Sequence, residues 1–263
     1  MASYDLVGNI AIVKFSKGIK KGEKKKFGNK LLKEHKNVRT ILEKSGKFSG
    51  RLRTLKTKYV AGEKNKEVLY KENGCEFRLN VDTCYFSPRL STEREEIAKQ
   101  VRKGEKVLVM FGGVGFYGIV IGKNSRIGKT GRIVSVELSR ECNKHAIENV
   151  KRNKVSVEIV QGDVRRVIGK GGEISRGFDR IVMPRPNLKD SFLDVAFSVI
   201  KKGGIIHYYG FYHEMEFKAG VLEELIELEA RKAKKKVKIL SMKRAGDIAP
   251  YKYRYRADLR VLN

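Results

Sequence analysis

Lys106-Val-Leu-Val-Met-Phe-Gly-Gly-Val-Gly-Phe-Tyr-Gly118 is the stretch on which the fold turns. Residues 106–111 read as a buried strand, and 116–123 can begin a helix. Between them Gly113, Gly115 and Gly118 fit G-x-G-x-x-G, the spacing that lets backbone approach a ligand at a strand-to-helix turn. Glu137 ends the next strand about twenty residues on, where an acid can accept bonds from ribose hydroxyls. Alone, the motif leaves a nicotinamide dinucleotide and S-adenosylmethionine both open, and a ligand-free glycine turn has the same spelling.

Working outward, strand and helix signals alternate from residue 82 onward. Helices are expected over 90–103, 140–152, 188–200 and 216–234, and strands over 132–136, 156–160, 179–183, 204–209, 237–242 and 253–261. Such alternation predicts a mostly parallel, seven-stranded, Rossmann-like sheet with helices on both faces. Residues 1–81 have another texture, that of a small α/β unit. A strand is expected over 9–15, then a basic helix over 22–44 with Phe27, Leu31, Leu32, Val38, Ile41 and Leu42 along one face. Strand-like runs follow over 51–60 and 68–81, with Gly62, Asn73 and Gly74 as turn signals. The expected division is therefore 1–81 and 82–263.

Composition narrows the partner. The 263 residues carry 58 Lys+Arg against 30 Asp+Glu, a net charge of +28, beyond the margin of about 2–8 that solubility needs. An excess this large points to a polyanion, nucleic acid before an anionic membrane. The cluster 20–26 is either a solvated face or a track for phosphates. Cys75, Cys84 and Cys142 have no CxxC pairing, and His35, His145, His207 and His213 supply no metal pattern, so neither a disulfide framework nor a metal site is expected. His207 and His213 flank YYGFY, where aromatic core packing is the expected role. The first ten residues lack the pattern of a signal peptide. The longest apolar run, 107–122, is broken by five glycines, too short to span a bilayer comfortably. The expectation is a cytoplasmic monomer.

Two further motifs refine the cofactor. Gln161-Gly-Asp163 ends the third strand, where an acid or amide can bond an adenine amino group. Phe178-Asp-Arg-Ile-Val-Met-Pro-Arg-Pro186 runs off the fourth into a proline-bearing loop, whose stiff backbone offers free carbonyl acceptors. A loop of this kind suits a pocket for a flat base; a dehydrogenase gives no reason for it.

Tyr85-Phe-Ser-Pro-Arg-Leu-Ser-Thr-Glu-Arg94, together with Gly50-Arg-Leu-Arg53, Glu72-Asn-Gly74 and Met110-Phe-Gly-Gly-Val-Gly115, resembles the archaeal/eukaryotic-type tRNA (guanine-37-N1)-methyltransferase family across nearly the whole chain. The resemblance implies a class I methyltransferase domain behind a small α/β domain, S-adenosylmethionine as cofactor, no metal, and the anticodon stem-loop of tRNA as substrate. By resemblance Glu93 is the general base for the guanine N1 proton, and Arg53 stabilises the charge that develops on O6. Tyr85, Arg94, Phe111, Gly113, Val114, Gly115, Glu137, Leu138, Asp163, Val164 and Pro184 are implied to hold the cofactor, and Arg89, Arg185 and Pro186 the substrate. A base stacked in a helix cannot reach such a pocket, so the guanosine must be splayed out.

This chain departs from the family pattern in three ways. Val109, Gly112 and Phe116 stand where the family's Asp-Met-Phe-Ala-Gly-Val-Gly-Pro has Asp, Ala and Pro. Pro184-Arg185-Pro186 replaces the usual Asn-Leu-Pro, as in a wyosine-linked subgroup, some of whose members also methylate carbon-7 of a tricyclic intermediate. By the same resemblance the chain is expected to begin at the small domain, without the extra N-terminal domain of many relatives. An aminocarboxypropyl transferase of the wyosine pathway and a non-catalytic tRNA-binding relative are the alternative readings.

Overall fold

The computed structural model describes residues 2–46, 50 and 54–263. Arg53, the expected partner of O6, lies outside the described residues, as does the expected start of its strand.

The N-terminal part forms a four-stranded sheet from β1 (Ser3–Val7), β2 (Ile10–Lys14), β3 (Thr40–Lys44) and β4 (Thr57–Gly62), in that order. The helix α1 (Lys21–Glu34) is the crossover between the parallel pair β2 and β3. The helix expected over 22–44 is thus corrected. It ends at Glu34, and the β-branched Val38, Thr40 and Ile41 lead into a strand. Ile41 and Leu42 are both buried because α1 covers one face of this sheet and the larger domain the other. Strand β1 was not anticipated. A hairpin follows, β5 (Glu67–Glu72) and β6 (Cys75–Asn80), turning at Asn73-Gly74 where both residues have positive φ.

Next come a 3₁₀ turn (Pro88–Leu90), α2 (Ser91–Gln100), β7 (Lys106–Met110), α3 (Phe116–Asn124), β8 (Arg132–Glu137), α4 (Arg140–Asn153), β9 (Glu158–Gln161), α5 (Val164–Val167) and β10 (Phe178–Met183). The chain ends with α6 (Leu193–Val199), β11 (Ile200–His213), α7 (Glu214–Lys218), α8 (Val221–Lys232), β12 (Val237–Ala249) and β13 (Lys252–Val261). Seven strands form one sheet in the order β12-β13-β11-β10-β7-β8-β9. The five from β11 to β9 are parallel, and β13 and β12 close the sheet antiparallel. Strands in such a sheet are buried on both faces. Val107 and Val109 enter the core under α2 and α3, while Leu108 and Met110 enter the core under α6 and α8.

Three further expected helices are shorter than their patterns, the one over 90–103 spanning only Ser91–Gln100. Residues 188–192 are loop, and α6 starts after Phe192, whose φ of 57° is not helical. The run 216–234 divides into α7 and α8 at Gly220, with φ 81°. The fifth strand, expected over 204–209, extends to Ile200–His213, because Ile200 pairs with Phe178 of β10 at one end and β13 pairs as far as His213 at the other.

The hairpin is fastened to α4 by side chains. Asn149 accepts from Arg78 N through Oδ1 at 2.7 Å and donates Nδ2 to Arg78 O at 3.0 Å. Asn153 does the same with Glu76 N and O, at 2.8 and 2.7 Å.

Candidate active site

After β7 the chain turns to β8 on one side, and later returns to place β10 on the other. That switch of direction opens a crevice beyond the strand carboxyl ends. A cleft of about 1350 Å³, counted to its open mouth, lies there. Phe111, Gly112 and Gly113 border it after β7, Val136, Glu137 and Leu138 at the end of β8, and Gly162, Asp163 and Val164 after β9. Pro184, Arg185, Pro186 and Leu188 form the wall after β10, and Tyr85, Phe86, Leu90 and Arg94 close the near side.

The glycine loop is shaped by contacts a side chain could not make. A Cβ on Gly112 would stand 2.0 Å from Ser135 Oγ, so alanine does not fit without a shift. Gly113 has φ 58° and no atom within 4 Å of a Cβ position, which leaves its backbone bare to the cleft. Its N–H donates to Glu137 Oε2 at 2.9 Å, and Ser139 N donates to Oε1 at 2.7 Å. Burial pushes the Glu137 carboxyl up, and these backbone bonds only partly offset it. Asp163 caps α5 by accepting from Arg165 N at 3.0 Å.

The departures from the family pattern have structural counterparts. Val109 is fully buried in the core. Phe116 stacks on Phe86 at 4.8 Å and lies under Arg94 at 4.9 Å, filling the position with an aromatic cluster. Phe111, at φ 63°, meets Phe192 edge-on at 5.0 Å; both Phe residues are strained and both border the cleft.

Several expected site residues are placed elsewhere. Val114 points into the core, and Gly115 caps α3 with φ 91°; neither borders the cleft. Arg89 is exposed and pairs with Asp5 at 3.0 Å, away from the wall. Arg185 borders the cleft, but its Nη2 is committed to the carbonyls of Leu188 and Asp190, which fold the proline loop back on itself. Arg94 also borders it, yet its guanidinium forms a two-pronged buried pair with Glu72 and donates to Ser87 O at 3.2 Å. It therefore fixes the 85–90 segment rather than reaching out.

Glu93 is 6% exposed and stands behind the cleft wall. Its Oε2 accepts from Arg256 Nη1 at 2.7 Å and Tyr209 Oη at 3.1 Å, and its Oε1 pairs with Lys243 Nζ at 2.8 Å. Arg256 also meets Asp258, which accepts from Ser241 Oγ at 3.0 Å and from the His207 ring at 2.6 Å. Arg180 reaches the other ring nitrogen of His207 at 2.7 Å and pairs with Glu105. An arginine can only donate, so His207 accepts at Nε2 and donates from Nδ1 to Asp258. Burial lowers the His207 pKa, consistent with a neutral ring, and corrects the expected aromatic packing role to a polar one. Burial opposes ionisation of Asp258, but its bonds to His207, Arg256 and Ser241 outweigh it and hold the carboxyl at about 2.

Arg256, Lys243, Tyr209 and Asp258 were missed by sequence reasoning. The signal was present: Tyr253-Arg-Tyr-Arg-Ala-Asp258 puts three charges on one face of a strand. A charged row on a strand flanked by two others requires partners.

The parallel sheet, its antiparallel closing hairpin and the cleft at the switch point define the Rossmann-like methyltransferase class. Residues 68–240 match the TRM5/TYW2 methyltransferase domain and residues 1–65 the TYW2 N-terminal domain. The tRNA (guanine(37)-N(1))-methyltransferase Trm5b of Pyrococcus abyssi is 36% identical over 98% of this chain and 74% of its own. The crystal structure of that protein superposes with a TM-score of 0.85 over 99% of this chain and 75% of its own. The tRNA (guanine(37)-N(1))/4-demethylwyosine(37)-methyltransferase Taw22 of Nanoarchaeum equitans is 34% identical over 99% of this chain and 100% of its own. A solved complex of aTrm5 with tRNALeu is 26% identical with a TM-score of 0.81, covering 99% of this chain and 72% of its own. The chain belongs to the TRM5/TYW2 methyltransferase family.

Proposed function

We propose that this protein transfers the methyl group of S-adenosylmethionine to N1 of guanosine 37 in tRNA, with Glu93 as general base. The observation that carries the reading is a carboxylate held by Arg256, Lys243 and Tyr209 directly behind a cleft at the sheet's switch point. The residues present fit the cofactor. Gly113 offers bare backbone, Glu137 offers acceptors for ribose hydroxyls, and Asp163 stands at the end of β9 where an adenine amino group can be bound. When bound, S-adenosylmethionine supplies an electrophilic methyl on a sulfonium, so the chemistry asks for no Lewis acid. Phe111, Leu138, Val164 and Pro184 supply apolar walls on either side of a flat ring. Pro186 and the proline loop face the substrate end, and Arg53 neutralises O6 by the family resemblance.

The phosphates of tRNA are matched by the +28 charge, part of it on the exposed face of α1 at Lys25, Lys26, Lys30 and Lys33. Binding should weaken steeply with salt. No helix among the described residues is long and apolar enough to cross a membrane, and we assign the protein to the cytoplasm as a monomer. We divide the chain at 81/82, with the β5–β6 hairpin as the piece bridging both parts. The likeness to Taw22 favours a second activity, methylation of 4-demethylwyosine at the same position. The test is the mass of the nucleoside formed on tRNA bearing guanosine or adenosine at position 37. Methylguanosine from the first and nothing from the second is expected. Equal incorporation into both would sink the position, and an aminocarboxypropyl mass would replace the reaction.

A further inference from the structure

Three charges share one face of β13, spaced two residues apart. Asp258 is matched by His207, and Arg256 by Glu93. The third, Arg254, lies opposite Phe211 of β11 and borders the cleft. Its Nη2 donates to Tyr85 Oη at 3.3 Å, and its guanidinium lies 5.2 Å from the centre of the Phe211 ring. Its Nε and Nη1 make no hydrogen bond among the described residues, and no carboxylate there pairs with it. Arg254 is 7% exposed, and a guanidinium so far withdrawn from water is costly unless an anion meets it. Two other arginines border the cleft. Arg94 is paired with Glu72, and Arg185 is committed to the carbonyls of Leu188 and Asp190. Among the described residues, Arg254 is the cation on the wall left for a ligand.

We propose that Arg254 binds the carboxylate at the end of the amino-acid tail of S-adenosylmethionine, with Tyr85 orienting the guanidinium. This rests on the reading of S-adenosylmethionine as methyl donor. That carboxylate is the one anionic group the cofactor carries, and its two oxygens match the fork of an arginine. Where the family has an Asp, this chain has Val109, apolar and fully buried, so the ammonium of the tail finds no carboxylate there. The tail then needs its hold at the other end. Tyr85, which Arg254 bonds, is itself implied by the family resemblance to hold the cofactor. RNA phosphates are the competing anion, but they run along the outside of the strand, where the exposed lysines of α1 are open to them.

The experiment is calorimetry on the full chain, Arg254→Ala and Arg254→Lys. Three probes are used: S-adenosylhomocysteine, its carboxyl methyl ester, and 5′-methylthioadenosine, which lacks the tail. The unmodified protein should bind the acid about 10- to 100-fold more tightly than the ester, the range of a charged hydrogen bond. Arg254→Ala should bind acid and ester alike, and Arg254→Lys, with the charge but not the fork, should recover part of the difference. Methylthioadenosine should bind all three proteins equally. Equal affinity for acid and ester in the unmodified protein overturns the proposal, even if Arg254→Ala fails to fold. An equal loss for all three probes in Arg254→Ala also overturns it, because Arg254 then only shapes the wall through Tyr85. Unmoved affinity for the acid, beside tRNA binding whose salt slope drops by about one, gives Arg254 to a phosphate instead. If the unmodified protein binds none of the probes, the methyl-donor reading itself falls.

Discussion

Glu137 borders the cleft and Glu93 stands behind its wall, and the protein solvates the two differently. Glu93 is enclosed with a guanidinium, an ammonium and a phenol hydroxyl. Glu137 is held by the backbone N–H groups of Gly113 and Ser139, and burial pushes its carboxyl up. A carboxylate matched by fixed cations has its charge balanced out of water and its two oxygens held in place. One held by backbone dipoles has unused acceptor capacity, and a ligand's hydroxyls improve its position. The first arrangement suits chemistry and the second suits binding.

The strongest break in this comparison is Glu93→Gln, which keeps the size but puts an amide donor where one carboxylate oxygen accepted, and removes the proton acceptor. Methyl transfer should fall about 10²–10⁴-fold in single turnover, while calorimetry finds cofactor affinity nearly unchanged. An equal loss in both would erase the distinction. Glu72→Ala is the control for a cation-matched carboxylate with a structural task. It leaves Arg94 buried and unpaired and should cost about 3–5 kcal/mol in denaturant unfolding. If stability is unmoved, the Glu72–Arg94 pair is not what fixes the near wall.

Glu137→Ala removes charge-assisted bonds worth about 1.5–3 kcal/mol, so cofactor dissociation should rise by roughly 10- to 100-fold. The same residue predicts a pH effect. Its folded pKa is raised above the ordinary 4.5, so from 4.5 up to that folded value the folded state holds the proton more than the unfolded chain. Its contribution to stability therefore falls as pH rises through this window. Cofactor affinity should move the other way, strengthening as the carboxylate ionises, and Glu137→Gln should flatten that titration. Arg89→Ala is the smallest. The exposed Arg89–Asp5 pair should be worth at most about 1 kcal/mol. If Arg89 meets a phosphate, the salt slope of tRNA binding should drop by about one; an unchanged slope removes it from the interface.

The parts of the molecule legible in sequence are those whose signal is local. Gly113, Gly115 and Gly118 mark a strand-to-helix turn within six residues, and Asn73-Gly74 marks a hairpin. The sheet's parallel character follows from alternation of elements. The helix expected through residue 44 failed because helical spacing and a short buried strand look alike over Ile41-Leu42. The surroundings of Glu93 failed for another reason. Arg256 lies 163 residues away and Tyr209 lies 116 away, so neither is foreseeable from the segment they serve. Only the alternation of β13 hinted that a charged row needed a counterpart.

The asparagines of α4 have a consequence for how the chain assembles. Four residues of helix rise about 6 Å and two residues of strand about 6.8 Å. Asn149 and Asn153 therefore meet Arg78 and Glu76 in step, as the next strand of a sheet would. The helix thereby occupies the edge of β6, where another chain could otherwise add by backbone pairing. A lone two-stranded ribbon is marginal in water. Made before α4 in synthesis, this ribbon has an open, adhesive margin until more than seventy further residues have emerged, as the separations of 71 and 77 residues in these contacts record. The interval between the two is where slow translation would expose the chain to association with its neighbours.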